Sequence, residues 1–271
     1  MHDIGRKALA VNISDLAAMG ATPRAATLSL ALPAALSIDD FDGLIDGFLS
    51  LAAEVRVPLV GGNISRSPGP IMIDVTLIGS ARRRRLLTRS GGRAGHLLYV
   101  TGTLGRAAAA IANAQRDGAG TGTLAPSTLA PSTRTLAPST LAPWPLAPLA
   151  PLSRLSCGQQ VARNKVASAC MDISDGLADA VRQLAAASGT GARILSSKIP
   201  VDAGATLEQA LSGGEDYELL FAVAPRRRRG FEKIASREAD ITCIGELTPG
   251  SDAILERDGH LEPLGGGFAH F

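Results

Sequence analysis

Asp172, Ser174 and Asp175, followed by Gly176, stand where an apolar run gives way to a helical repeat, and no other stretch of this chain is better suited to chemistry. Met171 and Ile173 flank Asp172 as the end of a buried strand would. Leu177-Ala-Asp-Ala-Val181 then continues at helical spacing until Gly189 supplies a stop. Ser174 or Asp175 therefore falls near the start of a helix. The free amide groups and partial positive charge of a helix N-terminus attract phosphate. Hard carboxylate oxygens beside them suit Mg²⁺, which keeps several waters and bridges to substrate phosphates. Asp and Ser are also ordinary capping residues, so capping and metal-phosphate chemistry both fit this segment read alone.

Three more polar clusters interrupt apolar segments: Asn12-Ile-Ser-Asp15, Gly61-Gly62-Asn63-Ile-Ser65 and Ser212-Gly-Gly-Glu215-Asp216-Tyr-Glu218. Gly61-Gly62 and Gly213-Gly214 follow apolar residues and would let a ligand approach the backbone closely, as phosphate loops require. No Gly-Lys-Ser or Gly-Lys-Thr is present. A nucleotide would have to be held by metal-bridged carboxylates and an arginine rather than by a Walker lysine, and Thr88-Arg89-Ser90 offers such an arginine.

The elements that must position these clusters alternate between helix and strand. Ala8 to Met19 reads as a helix ending at Gly20, and Arg24 to Leu32 as a strand ending at Pro33. Ser37-Ile-Asp-Asp40 opens a helix with a broad apolar face of Phe41, Leu44, Ile45, Phe48, Leu49 and Leu51, and strands follow at Val57 to Val60 and Ile71 to Gly79. A second lobe begins after a boundary near Gly91 to Gly95, with a strand at Leu97 to Val100 and an Ala-rich helix from Arg106 to Arg116. Later come a helix at Gln159 to Ala169, the strand carrying Asp172, strands at Ala192 to Leu195, Tyr217 to Val223 and Ile241 to Gly245, and a helix at Phe231 to Glu238. The expected class is α/β or α+β, with lobes at 1–94 and 95–271. Between Leu124 and Pro151 the tripeptide Leu-Ala-Pro occurs six times. Proline at that density blocks helix and central strand, so a disordered or polyproline-like insertion is expected at about 118–152.

Composition excludes several functions. Hydrophobic residues at 45% and charged residues at 19% describe a globular chain that can bury a core. Aromatics are only 3% and the formal net charge is +2, so stacking platforms and a polyanion-binding balance are both lacking, and no nucleic-acid partner is expected. Arg82 to Arg85 and Arg226 to Arg229 read as solvated loops or strand ends, with phosphate attraction the minority reading. Cys157, Cys170 and Cys243 are odd in number and lack metal-ligand spacing, as in a reducing compartment. No apolar run approaches the ~20 residues of a membrane span, and Met1-His-Asp-Ile-Gly-Arg6 lacks a signal peptide's apolar region, so a cytoplasmic protein without membrane contact is expected.

Ala8-Leu-Ala-Val-Asn-Ile-Ser-Asp-Leu-Ala-Ala-Met-Gly20, Leu87-Thr-Arg-Ser-Gly91, Tyr99-Val-Thr-Gly-Thr103, Asp172-Ile-Ser-Asp-Gly-Leu177, Leu211-Ser-Gly-Gly-Glu-Asp-Tyr-Glu-Leu219 and Gly267-Phe-Ala-His-Phe271 are specific strings. In them the chain resembles the thiamine-monophosphate kinases, of the superfamily that includes aminoimidazole ribonucleotide synthetase and selenophosphate synthetase. The resemblance implies a two-lobe fold of the aminoimidazole ribonucleotide synthetase-like type, homodimeric in the family, and ATP-dependent phosphorylation of thiamine monophosphate to thiamine diphosphate assisted by Mg²⁺. It implies Asp15, Asp172 and Asp175 as metal ligands, with Asn63 where the family's Gly-Gly-Asp carries a metal-binding Asp. Gly62, Asn63, Arg89 and Ser174 would contact ATP, and Glu215 and Phe268 the thiamine moiety. A carboxylate and an aromatic face suit a cationic thiazolium.

The match also departs from the family. Asn63 brings an amide oxygen and no charge, so weaker metal affinity is expected. Members of the family begin with a segment bearing a Gly-Asp-Asp motif and a further Asp and His, and this sequence starts after it. An incomplete N-terminal sheet with an exposed edge and impaired activity is therefore expected. A remnant that keeps the fold or nucleotide binding is the first alternative. A related ATP-dependent enzyme with another acceptor is the second, and it is disfavoured by Glu215 together with the C-terminal Gly-Phe-Ala-His-Phe271.

Overall fold

Periodicity of apolar residues divides the protein between two sheets. The computed structural model describes residues 1–116 and 154–266. The chain opens with α1 (His2–Ala18), whose Leu9 and Ile13, one turn apart, are fully buried against Leu44, Phe48 and Leu51 of α2 (Ile38–Glu54). Ser37 caps α2 by accepting a hydrogen bond from the Asp40 amide at 3.1 Å, as a serine before two aspartates would. Both helices lie over a three-stranded sheet of order β2-β1-β3, made of β1 (Thr22–Pro33), β2 (Leu59–Ser67) and β3 (Met72–Ser80). In β1, inward Ala26, Leu28 and Leu30 alternate with less buried residues, the period-2 pattern of a strand with one packed face.

The three-stranded sheet has two edges. β2 pairs with β1 in parallel and β3 with β1 antiparallel, so β2 and β3 each keep one free side. β2 is exposed along nearly its whole length, and Val60, Ile64, Met72 and Ile78 are each more than half exposed. Long edge strands bearing apolar side chains are templates for association.

The second sheet has seven strands in the order β10-β9-β6-β8-β4-β7-β5. It comprises β4 (Leu97–Thr101), β5 (Ala169–Ile173), β6 (Gly191–Leu195), β7 (Glu218–Val223), β8 (Ile241–Thr248), β9 (Ala253–Arg257) and β10 (His260–Pro263). Helices cover both of its faces. On one side α5 (Leu177–Ser188) and α6 (Leu207–Ser212) bury Leu177, Val181, Leu184 and Leu211 against Val100, Ile173, Leu220 and Ile244. On the other, α4 (Leu155–Asn164) and α7 (Arg228–Ala235) bury Cys157, Val161 and Phe231 against Tyr99, Phe221 and Val223. The remaining helix, α3 (Arg106–Arg116), occupies the span read from sequence. With both faces covered, β7 is buried at every position, which explains why Leu219 to Val223 reads as a continuous apolar run.

Several boundaries differ from the sequence reading. The first helix begins at His2 rather than Ala8. α4 runs from Leu155 and stops at Asn164, because Lys165 turns left-handed (φ 55°) and the Val166 amide returns to the Val161 carbonyl. Gly61 and Gly62 lie inside β2 rather than in a loop. The second arginine run is not a loop: Arg228 and Arg229 form the first turn of α7. Two strands and a helix were not read, although α6 carries a full capping box between Thr206 and Gln209. The Leu-Ala-Pro insertion lies outside the described residues. Both buried cysteines, Cys157 and Cys170, are free thiols, and no helix among the described residues is long and apolar enough to cross a membrane.

Candidate functional site

The C-terminal end of β5 is where the polar clusters meet. β5 delivers Asp172 at its penultimate position, buried, and α1 crosses this end of the strand so that the Ser14 hydroxyl donates to Asp172 Oδ2 at 3.0 Å. Asp15, the next residue of α1, still reaches solvent. Burial, followed by the charge of Asp15, pushes the Asp172 carboxyl above the usual carboxylate range. The Ser14 hydrogen bond and the more distant Arg89 pull it back. Burial around the Asp15 carboxyl raises its pKa as well, again opposed by Arg89. Two neighbouring carboxylates that each resist ionisation form a place to which a cation would be drawn.

After Asp172 the chain turns sharply into α5. The N-cap is Gly176, not Ser174 or Asp175, and its φ of 93° together with Leu211 and Gly213 carbonyls within 3 Å of where a Cβ would stand leaves room for glycine alone. Ser174 and Asp175 thus ride on the strand-to-helix turn itself, with Ser174 Oγ 3.4 Å from Asp175 Oδ2. Neither of these two residues occupies the N-cap position itself.

The Ser212 to Glu218 segment runs beside that turn and splits its side chains by alternation. The Glu215 amide donates to the Ser174 carbonyl at 2.7 Å and the Tyr217 amide to the Ile173 carbonyl at 2.8 Å. These bonds hold Glu215 and Tyr217 in the left-handed region (φ 70° and 51°), a strained backbone for non-glycine residues. Glu215 and Tyr217 face α1. The Tyr217 hydroxyl is pushed up to about 12, first by burial and then by the charges of Glu215, Asp172, Asp175 and Asp15. The charges of all four carboxylates thus act on one phenol in the same direction.

Asp216 and Glu218 face the other way and are structural. Asp216 Oδ2 accepts from the Gly105 amide at 2.8 Å at the start of α3, and burial raises its pKa to about 6. Glu218 takes both hydrogen bonds of the Arg154 guanidinium at 2.6 Å and another from the Thr101 hydroxyl.

Arg89 is exposed on the segment that joins the two sheets. That segment is docked on β5 and α5: the Cys170 amide donates to the Thr88 carbonyl at 2.9 Å, and Ser188 Oγ donates to the Arg89 carbonyl at 3.2 Å. The guanidinium reaches Gln183 of α5 at 3.0 Å. Lys7, absent from the sequence reading, belongs to the site. Its Nζ pairs with Glu215 Oε1 at 2.8 Å, and it sits seven residues before Ser14 on the same side of α1. Starting that helix at Ala8 hid it; the helical repeat through Ile4, the earlier signal, would have revealed it.

Asp15, Asp172, Asp175, Ser174, Arg89 and Glu215 are thus assembled at the end of β5. Gly62 and Asn63 are not among them: they lie exposed on β2, where a Cβ at Gly62 would meet the Leu28 carbonyl oxygen at 1.8 Å. The close approach of β1 is a structural reason for that glycine. Phe268 lies outside the described residues. Among the described residues no three His, Cys, Asp or Glu side chains close on a metal ion by themselves. Mg²⁺ does not require such a cage, since one or two carboxylates plus substrate phosphates commonly hold it, and the hard-oxygen, charge-deficient donor set here suits it.

Residues 1–81 match the N-terminal domain of AIR synthase related proteins, and residues 93–258 match the C-terminal domain. The chain is 37% identical over 270 residues to a thiamine-monophosphate kinase of Salmonella typhimurium, an alignment covering 95% of this chain and 76% of that one. The crystal structure of thiamine-monophosphate kinase from Stenotrophomonas maltophilia superposes with a TM-score of 0.78 at 34% identity, over 96% of this chain and 80% of that one. The solved structure of AaThiL complexed with AMPPCP and TMP superposes with a TM-score of 0.79 at 30% identity, over 100% and 81% of the two chains.

Proposed function

The chain belongs to the thiamine-monophosphate kinase family of AIR synthase related proteins, and from that premise we propose that it transfers the γ-phosphoryl group of ATP to the phosphate of thiamine monophosphate, giving thiamine diphosphate and ADP. The observation that carries this reading in the structure is the buried Asp172 at the end of β5, bonded to Ser14 of α1 next to Asp15, with Asp175 on the turn that follows and the Arg89 segment docked on the same strand. In the transfer a phosphate oxygen of thiamine monophosphate bonds to the γ-phosphorus as the bond to the β,γ-bridging oxygen breaks, and ADP leaves with that oxygen. Two anions must be brought together, so charge neutralisation and positioning dominate over any base.

Each group has a part in this scheme. Asp15, Asp172 and Asp175 would hold Mg²⁺, with Asn63 a further oxygen donor in the assembled protein. When bound, the cation would supply the positive charge that offsets these carboxylates and the nucleotide phosphates. Arg89 neutralises phosphate oxygens directly and Ser174 contacts the nucleotide, whereas Gly62, exposed on β2, would reach it only in the assembled protein. Ser14 orients the buried Asp172 carboxylate. Lys7 holds Glu215 where a carboxylate can face a thiazolium cation, and Phe268 would complete that end. The apolar residues exposed on β2 and β3 support a homodimer formed through the three-stranded sheet.

The test is Mg²⁺-dependent formation of thiamine diphosphate from ATP and thiamine monophosphate, run beside Asp175→Ala. Turnover that the substitution abolishes is the expected result. Absence of turnover in a folded sample of the parent chain would remove the kinase reading.

A further inference from the structure

The first arginine run is largely exposed, as a solvated turn would be, but its backbone is fixed. Its turn, Arg83–Arg85, is pinned by the Arg85 amide on the Arg82 carbonyl at 2.7 Å and, two residues on, by the Leu87 amide on the Met19 carbonyl at 3.2 Å. The three-residue spacing of that tight turn sends Arg82 and Arg85 to the same side. There they meet Arg24 from the start of β1 and Arg163 from the last turn of α4 around a cavity of about 600 Å³. The other polar side chains of its wall are hydroxyls and amides, among them Ser80, Gln159 and Gln160; no Asp or Glu lines it.

Among the described residues no carboxylate pairs with this charge. None of Arg24, Arg82, Arg85 and Arg163 forms an ion pair among the described residues, whereas Arg6, Arg154, Arg182, Arg193, Arg228 and Arg257 all do. In the second arginine run, by comparison, Arg228 is paired with Glu232 and Arg227 donates to the Lys165 carbonyl, while Arg226 and Arg227 border a separate pocket with Arg93. The basic cavity is also held ready. Arg24 Nε donates to Ser80 Oγ at 2.7 Å, which fixes the plane of its guanidinium. Gln159 ties α4 to the Ala21 carbonyl at 2.9 Å, and Gly20 permits the approach, since a Cβ there would lie 2.2 Å from that of Ala162.

We propose that this cavity between β1, the Arg82 to Arg85 turn and α4 binds a small multiply charged oxyanion of the diphosphate class. Planar guanidinium forks match phosphate oxygens two at a time, and four of them facing one space repel each other until an anion of several charges occupies it. A volume of about 600 Å³ exceeds that of a lone phosphate and falls within the range of small-molecule sites, so the diphosphate is free or carried on a nucleoside. The wall shares no residue with the acidic site at the end of β5.

The test is calorimetric titration of the full chain with inorganic pyrophosphate and, separately, with ADP, both without divalent metal and at low and moderate salt. Parent, Arg24→Gln/Arg163→Gln and Arg89→Ala proteins are compared. The double variant should bind at least ~10-fold more weakly, the loss of about 1.4 kcal/mol expected from two phosphate contacts, and parent affinity should fall with salt. Loss of both ligands identifies the free diphosphate as sufficient, and loss of ADP alone identifies the nucleotide-borne form. As a measurement that needs no variant, arginine modification by phenylglyoxal, mapped by mass spectrometry, should show pyrophosphate or ADP shielding Arg24, Arg82, Arg85 and Arg163 in the parent protein. Unchanged affinity for both ligands in the double variant, loss confined to Arg89→Ala, or failure of both ligands to shield these arginines overturns the proposal.

Discussion

Replacing Arg154 by alanine should cost this protein much of its stability. Arg154 and Glu218 keep only 14% and 10% of their side-chain surface, and two hydrogen bonds of 2.6 Å join them. Burial opposes the Arg154 charge, and the hydrogen bonds and charge of Glu218 more than restore it. Without the guanidinium, the Glu218 carboxylate would stay in the interior with only the Thr101 hydroxyl, which itself accepts from the Leu219 amide at 2.9 Å. An uncompensated buried charge of this kind costs about 3–5 kcal/mol. For a protein in this size range, at roughly 2–4 °C per kcal/mol, Tm should fall by about 6–20 °C. Thermal denaturation followed by circular dichroism measures it. The companion is Arg154→Met with Glu218→Gln, in which the amide oxygen still accepts from Thr101 and no charge is stranded. That protein should recover most of the loss. A fall under ~2 °C for Arg154→Ala, less than 1 kcal/mol, or a double variant no more stable than the single one, would refute the stranded-charge argument.

Other perturbations follow from the same physics. Asp172→Asn should abolish turnover without destabilising the metal-free protein at neutral pH. The raised folded pKa means that ionised Asp172 opposes folding, an effect absent below the unfolded pKa and complete once pH has risen through the folded one; parallel urea titrations of parent and variant across pH 4 to 7 test this. Because Asp15 and Asp172 hold their protons to higher pH than free carboxyls, Mg-nucleotide binding should release protons and weaken as pH falls towards their raised values. Calorimetry in buffers of different ionisation enthalpy would read that release, and zero release removes the argument. Gly62→Ala forces a Cβ to 1.8 Å from the Leu28 carbonyl oxygen and should separate β2 from β1, costing at least ~2 kcal/mol in urea unfolding. Val60→Lys with Ile64→Lys should convert a dimer to a monomer by light scattering; a parent protein already monomeric at micromolar concentration would dismiss the sheet-mediated dimer.

Much of the fold was legible because its signals are local. The helix from Arg106 to Arg116, the β5 strand with its turn into α5, and the serine cap at Ser37 all follow from periodicity and capping chemistry. The metal-site candidates Asp15, Asp172 and Asp175 were visible for a similar reason: each interrupts an apolar pattern with a charge. Roles set by direction rather than composition were not legible. Glu215, Asp216, Tyr217 and Glu218 form one acidic string in sequence, yet the left-handed turns at Glu215 and Tyr217 divide it between a side that meets Lys7 of α1 and a side that anchors α3 and α4. The four arginines of the basic cavity come from positions 24, 82, 85 and 163, and only the tertiary fold joins them. Gly62 carries the opposite lesson, since a glycine that suggested a phosphate loop answers first to a neighbouring strand.

The two anchors that Asp216 and Glu218 provide have a consequence for how this gene can change. Asp216 fastens the start of α3, and Glu218 fastens Arg154 at the start of α4, so the helices on either side of residues 117–153 are both secured by one strand lead-in some sixty residues downstream. Neither fastening draws on the Leu-Ala-Pro units. Substitutions at Asp216 and Glu218 would therefore loosen two helices, and a single short segment answers for the placement of both α3 and α4.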